Sequence, residues 1–278
     1  MSKTVTYLKS IARKNNLVRR YYVRKRRITS LASISVPNRL IFEPTNICNY
    51  SCYKCLYPDM KRTKGIVDIT KFKIFLATWK ETYGDFDSIE FTGGGEVLVA
   101  NNFAELVDLV ATVMPSTLLK TTTNLALFDK DLARTLIQSG LKQWQISLDS
   151  IDNAEYTKIV GNSKINVSTI IENIKSLWNL FKENDSEKNK LIIVSHRPYD
   201  GQYHDKMNEI YDAVKLYCHE MTKSPYQSLN SRIDDASFTL SEDKFYKKRY
   251  QLPCEYLWTD LVVPLCQDSC RLLSVILC

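Results

Sequence analysis

Short runs of β-forming residues alternate with longer runs of helical periodicity from residue 39 onward. Strands are predicted at residues 40–43, 88–92, 118–124, 143–148 and 191–195. Three apolar stripes at helical spacing lie between them, namely Phe72, Phe75, Leu76, Trp79 and Tyr83, then Phe103, Leu106, Val107, Val110 and Met114, then Ile170, Ile174, Leu177 and Phe181. Repeated strand–helix–strand units require a parallel sheet with right-handed crossovers. The chain is therefore predicted to be an α/β protein whose ligands bind at the carboxyl ends of its strands.

The composition is that of a folded globular protein. Hydrophobic residues make up 44% of the 278 residues and charged residues 25%, with only 8 Gly and 8 Pro, which excludes the collagenous, low-complexity and disordered classes. No apolar run approaches the roughly 18 residues that span a bilayer, and the first residues lack the apolar core of a secretory signal. We therefore expect a cytoplasmic protein with no transmembrane segment, whose eight Cys stay reduced or bind metal.

The positive net charge of +7 comes from the N-terminal arm. Residues 1–42 carry 11 Lys or Arg and no Asp or Glu, whereas residues 43–278 carry 27 basic and 31 acidic residues. The apolar residues of the arm recur at near-helical spacing, which predicts a basic amphipathic helix within residues 1–37. Residues 1–28 could bind nucleic acid or an anionic membrane. We favour the alternative, a helix that packs on the main domain and leaves its charged face in water.

Three cysteines lie close together in the loop after the first predicted strand, at Cys48, Cys52 and Cys55. Thiolates are soft ligands that select zinc, copper(I) or iron–sulfur clusters. A structural zinc site needs a fourth protein ligand, commonly Cys or His, and none lies nearby in sequence because the three His are residues 196, 204 and 219. A [4Fe–4S] cluster held by three Cys would instead keep one iron open for a ligand.

Polar or glycine-rich segments follow the next three predicted strands. They are the run from Gly93 to Glu96, Asn124 after the third strand, and the pair Ser147 and Asp149 after the fourth. Glycines let the backbone approach a ligand closely, and a Glu carboxylate can accept hydrogen bonds from an ammonium group. Each segment alone would be an ordinary turn or strand end. Their joint placement predicts a ligand site at this edge of the sheet.

The C-x3-C-x2-C spacing and these strand ends resemble the radical S-adenosylmethionine (SAM) superfamily. The resemblance covers about residues 38–200 and includes the segment 60–65. It implies a partial parallel (β/α)6-type barrel in which Cys48, Cys52 and Cys55 hold a [4Fe–4S] cluster. It further implies that SAM is bound by Gly94, Gly95, Glu96, Asn124, Ser147 and Asp149. One departure is Lys54, which stands where the family usually has an aromatic residue against adenine.

The resemblance implies an oxidoreductase-like enzyme that cleaves SAM reductively to a 5′-deoxyadenosyl radical, which abstracts hydrogen from a substrate. Peptides and sugars or alcohols are the leading substrate classes, and a flavodoxin or ferredoxin is the expected electron donor. Two alternatives stay open, a radical SAM methyltransferase and a non-catalytic metal-binding module that acts through its basic arm. No catalytic residue is predicted. His196 could act as a general acid or base after the fifth strand, but a structural histidine is the commoner outcome.

The C-terminal segment contains four further cysteines. Its pattern around Cys254 and Cys266 resembles the start of the SPASM or twitch extension of radical SAM enzymes, but in a truncated form. Cys254, Cys266, Cys270 and Cys278 could ligate an auxiliary Fe–S cluster, or they could be unligated thiols. The predicted organisation is thus a basic arm at 1–37, a radical SAM core at 38–235 and a short extension at 236–278.

Overall fold

The computed structural model describes residues 36–184, 189–197, 201–225 and 260–264. The predicted helix of the basic arm and the four C-terminal cysteines lie outside these residues. Within the described ranges, no helix is long and apolar enough to cross a membrane.

Seven parallel strands form one sheet in the order β6-β5-β4-β3-β2-β1-β7. The strands are β1 (Arg39–Phe42), β2 (Ser88–Phe91), β3 (Leu118–Thr123), β4 (Leu141–Ser147), β5 (Lys190–Arg197), β6 (Glu220–Pro225) and β7 (Asp260–Val263). The five predicted strands are confirmed, with ends that differ by one or two residues. This open parallel sheet with its helices confirms the predicted partial (β/α) barrel.

Six helices connect or follow these strands in the described ranges. They are α1 (Ile69–Tyr83), α2 (Phe103–Val113), α3 (Lys130–Gln138), α4 (Asn153–Val160), α5 (Val167–Glu183) and α6 (Tyr203–Val214). The three predicted apolar stripes lie on α1, α2 and α5. Asp or Asn side chains cap the first turns of α1, α3, α4 and α5, so the loop before each helix supplies its own start signal.

The two faces of the sheet differ in burial. Residues such as Leu40, Trp144 and Ile193 alternate onto one face and join the buried residues of the helices in a single hydrophobic core. Residues on the other face are only partly buried and stand outside that core. This second face, which we call the open face, carries Ile41, Glu90, Lys120, Thr122, Gln145, Ile192, Val194 and His196. Its carboxyl edge is where the predicted ligand site should lie.

The strand β7 was not predicted. It pairs in parallel with β1 along its whole length, and Glu43 N donates to Val263 O over 3.2 Å just beyond the paired residues. Leu261 is buried in the core. The segment assigned to the C-terminal extension therefore contributes a strand to the same sheet as the core.

Candidate functional site

The loop that leaves β1 carries the three predicted cluster ligands and is braced by a second segment. Thr45 Oγ1 donates to Gly65 O over 2.7 Å, and Asn46 Nδ2 donates to Thr63 O over 2.8 Å. Gly65 N in turn donates to Asn46 Oδ1 over 2.8 Å. Segment 60–65 therefore lies alongside the loop and fixes its path before the first cysteine.

The three thiols of this loop, which we call the thiol loop (residues 48–55), are partly buried and form no disulfide. Backbone N–H groups two residues downstream donate to Cys48 Sγ and to Cys55 Sγ, each over 3.4 Å. Burial, with a smaller effect of the neighbouring thiols, raises the pKa of Cys48 to about 11 and that of Cys52 to about 12. The protein alone thus keeps the Cys48 and Cys52 thiols neutral, so a positively charged iron centre would be needed to stabilise them as thiolates.

This donor set fits a [4Fe–4S] cluster. Such clusters are ligated by Cys thiolates, and this loop supplies three Cys. Two of the sulfur atoms accept hydrogen bonds from backbone N–H groups, which is one of the interactions that tune the potential of such clusters. Among the described residues, no three His, Cys, Asp or Glu side chains converge closely enough to hold a single metal ion. A cubane cluster presents its ligand irons at separate corners, so the thiols around it need not converge on one point.

The thiol loop rests on the C-terminal end of α4. Ser51 N donates to Val160 O over 3.0 Å, and the buried hydroxyls of Tyr50 and Tyr156 lie 3.1 Å apart. The backbone approaches so closely at the end of the helix that a Cβ on Gly161 would lie 2.6 Å from Ser51 O. The sequence did not reveal this support, because α4 has only three buried residues and no long apolar stripe.

Glu96 lies where the sequence predicted it, at the end of the glycine run after β2, and is fully buried. Its carboxylate accepts hydrogen bonds from Thr123 Oγ1 at 2.5 Å, Asn124 N at 2.8 Å and Leu98 N at 3.2 Å. Burial raises its pKa above the ordinary range for Glu, while these donors oppose that rise. A carboxylate offers about four lone-pair positions, so one position remains for a further donor such as an ammonium group.

Gly94 and Gly95 let this segment pass close to the loop after β1. Gly94 N donates to Glu43 Oε1 over 2.6 Å, and Arg62 binds the same carboxylate through two nitrogens at 2.6 and 2.9 Å. A Cβ on Gly95 would lie only 2.3 Å from Thr45 O. Neither Glu43 nor Arg62 was predicted as a site residue, although Arg62 lies in the segment 60–65 that the family resemblance includes.

Asn124 joins the end of β3 to the thiol loop. Its side-chain amide donates to Asn49 Oδ1 over 2.8 Å, directly beside Cys48. The side-chain oxygen Oδ1 of Asn124 accepts a hydrogen bond from Ala126 N over 2.9 Å, which holds the side-chain amide in one orientation. The structure therefore links two of the predicted site segments through one side chain.

Asp149 lies beyond the end of β4 and is held from two neighbouring elements. Its Oδ1 accepts from His196 N over 2.7 Å, and its Oδ2 forms an ion pair with Lys54 of the thiol loop. Arg197 donates to the Asp149 backbone oxygen over 2.6 Å. The ring of His196 is half-buried, and burial together with the Lys54 charge lowers its pKa, so the ring is neutral at physiological pH. Neither Lys54 nor Arg197 was predicted as a partner of this carboxylate.

Ser147 is the predicted residue with the weakest ties to the others. It is the last residue of β4 and is partly exposed on the open face, but its hydroxyl makes no hydrogen bond with any residue in the part of the chain that the structure describes. The thiol loop, Gly94, Gly95, Glu96, Asn124 and Asp149 are by contrast connected by direct contacts at the carboxyl edge of the sheet.

Comparison with known proteins places the chain in a family. Residues 42–209, more than half of the chain, match the family model described as Radical SAM superfamily. GTP 3′,8-cyclase of Microcystis aeruginosa is 32% identical over 117 residues, covering 41% of this chain and 35% of the cyclase. The cyclase of Alkaliphilus oremlandii is 27% identical over 139 residues, covering 47% and 40%. The chain thus spans well under half the length of these relatives.

Solved structures with the same fold are more distant in sequence. SuiB of Streptococcus suis bound to S-adenosylmethionine has a TM-score of 0.58 and 15% identity, covering 91% of this chain and 56% of SuiB. Methylornithine synthase (PylB) has a TM-score of 0.54 and 13% identity, covering 82% and 61%. Because the family model matches from the end of β1 into α6, the chain belongs to the radical SAM superfamily, whose enzymes use a [4Fe–4S] cluster and SAM.

Proposed function

We propose that Cys48, Cys52 and Cys55 hold the [4Fe–4S] cluster and that the adjoining strand ends hold SAM. When bound, the two cofactors supply a 5′-deoxyadenosyl radical, formed by one-electron cleavage of SAM. The observation that carries the proposal is the direct attachment of the thiol loop to two strand ends, through Asn124 and Asp149. Family membership favours an enzyme over a non-catalytic binding module.

Each strand end has a distinct part in this proposal. Gly94 and Gly95 allow the SAM methionine moiety to approach the backbone, and the remaining lone pair of Glu96 accepts from its amino group. Ser147, whose hydroxyl faces the open face, and Asp149 bind the ribose hydroxyls. Asn124 holds the thiol loop in register with the third strand.

We place the substrate on the open face, below the SAM site. Glu90 lies two residues before Thr92, and Gln145 lies two residues before Ser147, so both side chains stand about 7 Å further from the carboxyl edge. Glu90 Oε1 accepts from Thr122 Oγ1 over 3.1 Å and from Gln145 Nε2 over 3.0 Å. Glu90 Oε2 accepts no hydrogen bond from the described residues and is therefore open to a substrate donor.

This face suits a polar substrate with hydroxyl or amine groups, such as a peptide or a sugar. Ile192 and Val194 are partly exposed beside the polar cluster and offer apolar contacts for a substrate carbon skeleton. SuiB has also been solved bound to its precursor peptide SuiA, with a TM-score of 0.56, whereas the sequence relatives are named for GTP. The peptide bound by SuiB supports a peptide as one of these substrate classes.

Three further parts of the proposal rest on sequence. The core extends over 38–235 with an extension at 236–278, in which the four C-terminal cysteines are candidate ligands of an auxiliary cluster. The electron comes from a carrier such as flavodoxin or ferredoxin. The protein acts in the cytoplasm, where thiols stay reduced.

Replacing Glu90 with Ala is expected to separate SAM cleavage from attack on the substrate. The reconstituted enzyme is incubated with SAM, dithionite and a cell extract. The extract contains the peptides and metabolites of cells grown in deuterated medium. Deuterium transfer into 5′-deoxyadenosine should fall about tenfold or more in Glu90→Ala, because a hydrogen bond to a charged group contributes about 1.5–3 kcal/mol. Total 5′-deoxyadenosine should stay close to that of the wild type.

The matched control is Glu81→Ala, which removes an exposed carboxylate on α1. It should transfer deuterium like the wild type. If wild-type protein formed 5′-deoxyadenosine without deuterium from the extract, hydrogen abstraction from a peptide or hydroxylated metabolite would be contradicted. Equal deuterium transfer by Glu90→Ala and wild type would contradict the placement of the substrate on the open face.

A further inference from the structure

Lys54 connects the thiol loop to the sheet at the position next to Cys55. Its ammonium group forms an ion pair with the Asp149 carboxylate, and the two side chains are only 17% and 6% exposed. The pair is thus largely withdrawn from water, and charges interact more strongly there than at the protein surface. A surface ion pair would by comparison contribute little.

The carboxylate in this pair cannot move freely. Two residues of β5 donate hydrogen bonds to Asp149. His196 N donates to Asp149 Oδ1, and the Arg197 side chain donates to the Asp149 backbone oxygen. Arg197 is itself fixed by Glu155 of α4 over 2.5 Å. The position of the Asp149 carboxylate, and with it that of the Lys54 ammonium group, is therefore fixed jointly by β4, β5 and α4.

This ion pair lies beside the proposed cluster ligands. Lys54 directly precedes Cys55 and follows Cys52 by two residues, so the thiol loop itself carries one partner of the ion pair with Asp149. Reduction adds one negative charge to an iron–sulfur cluster. A nearby positive charge therefore favours the reduced state and a nearby negative charge opposes it, and cluster potentials respond to such local charge.

We propose that Lys54 fixes the thiol loop against β4 and offsets the effect of the buried Asp149 carboxylate on the reduction potential of the cluster. Lys54 is in this account a positioning residue. The inference rests on the proposed function only in placing the cluster at Cys48, Cys52 and Cys55. The pairing itself is a property of the protein without its cofactors.

Removing either half of the pair should shift the potential in opposite directions. Lys54→Met leaves an uncompensated negative charge, so the midpoint potential should become more negative. Asp149→Asn leaves an uncompensated positive charge, so the potential should become more positive. The double variant and Lys54→Arg should both lie close to the wild type. The measurement is a redox titration of the reconstituted protein without SAM, in which electron paramagnetic resonance detects the reduced cluster.

The control is Lys61→Met, which removes an exposed positive charge from the neighbouring segment and should shift the potential far less. Shifts of the same sign in Lys54→Met and Asp149→Asn would indicate a general distortion of the loop and overturn the charge-pair proposal. An unchanged potential in Lys54→Met would overturn it as well.

A second measurement needs no cluster and separates this inference from the proposed function. Urea unfolding of the metal-free wild type, the two single variants and the double variant gives the coupling between Lys54 and Asp149. We expect a coupling of about tenfold in the unfolding equilibrium constant, or roughly 1.4 kcal/mol. Additive effects would contradict the pairing, whereas absence of any cluster in the wild type would contradict the proposed function alone.

Discussion

Cys52→Ala is expected to abolish the iron–sulfur cluster and to lower SAM cleavage by at least about 100-fold. Loss of an outer hydrogen-bond partner of a metal site typically costs about 10- to 100-fold, and loss of a direct ligand should cost more. Two partly buried thiols remain, Cys48 and Cys55, and burial raises the pKa of Cys48 to about 11, so its thiol stays neutral unless a metal centre stabilises the thiolate. Iron and sulfide analysis of the reconstituted variant measures the loss.

The control is Cys218→Ala. Cys218 is also a partly buried free cysteine, but it lies two residues before β6, far along the chain from the thiol loop. This variant should keep the wild-type iron and sulfide content, including the roughly four of each that belong to the cluster of the thiol loop. A correctly folded Cys52→Ala protein with full iron and sulfide would show that the cluster is held elsewhere.

Gly95→Ala is expected to have the second large effect, on both folding and cluster assembly. The added Cβ would lie 2.3 Å from Thr45 O, 2.7 Å from Ile47 O and 2.8 Å from Ile47 N. All three atoms are backbone atoms, which cannot rotate away as a flexible side chain can. Overpacking costs about 1–3 kcal/mol, and we expect the upper end of this range in urea unfolding.

The displaced backbone leads directly into Cys48, so the iron content of Gly95→Ala should fall together with its stability. Gly201→Ala is the matched control, because a Cβ there meets no heavy atom within 4 Å. It should change neither property. Wild-type stability and iron content in Gly95→Ala would show that neither folding nor cluster assembly depends on the close contact between Gly95 and the loop after β1.

Local patterns were sufficient for much of the fold. The strands β1 to β5 and the helices α1, α2 and α5 each carry their own hydrophobic period, so the sequence predicted them. The helices α3 and α4 have only nine and eight residues and bury three residues each, which is too short for a long apolar stripe. The strand β7 has four residues, and only its pairing with a distant strand makes it a strand.

The candidate site divides in the same way. The cysteines and the glycine run are local motifs, so their chemistry could be read from the order of residues. The ion pair between Lys54 and Asp149 joins residues 95 positions apart, and the hydrogen bond from Asn124 to Asn49 joins residues 75 apart. Such contacts depend on which strands become neighbours in the sheet, and no local pattern contains that information.

The central claim is that the thiol loop and the strand ends form a working radical SAM site. The most direct test is formation of 5′-deoxyadenosine from SAM by the anaerobically reconstituted protein with dithionite, compared with Cys48→Ala. The account predicts 5′-deoxyadenosine from the wild type and none above background from the variant. Absence of 5′-deoxyadenosine from wild-type protein that demonstrably carries its cluster, or equal amounts from both proteins, would contradict it.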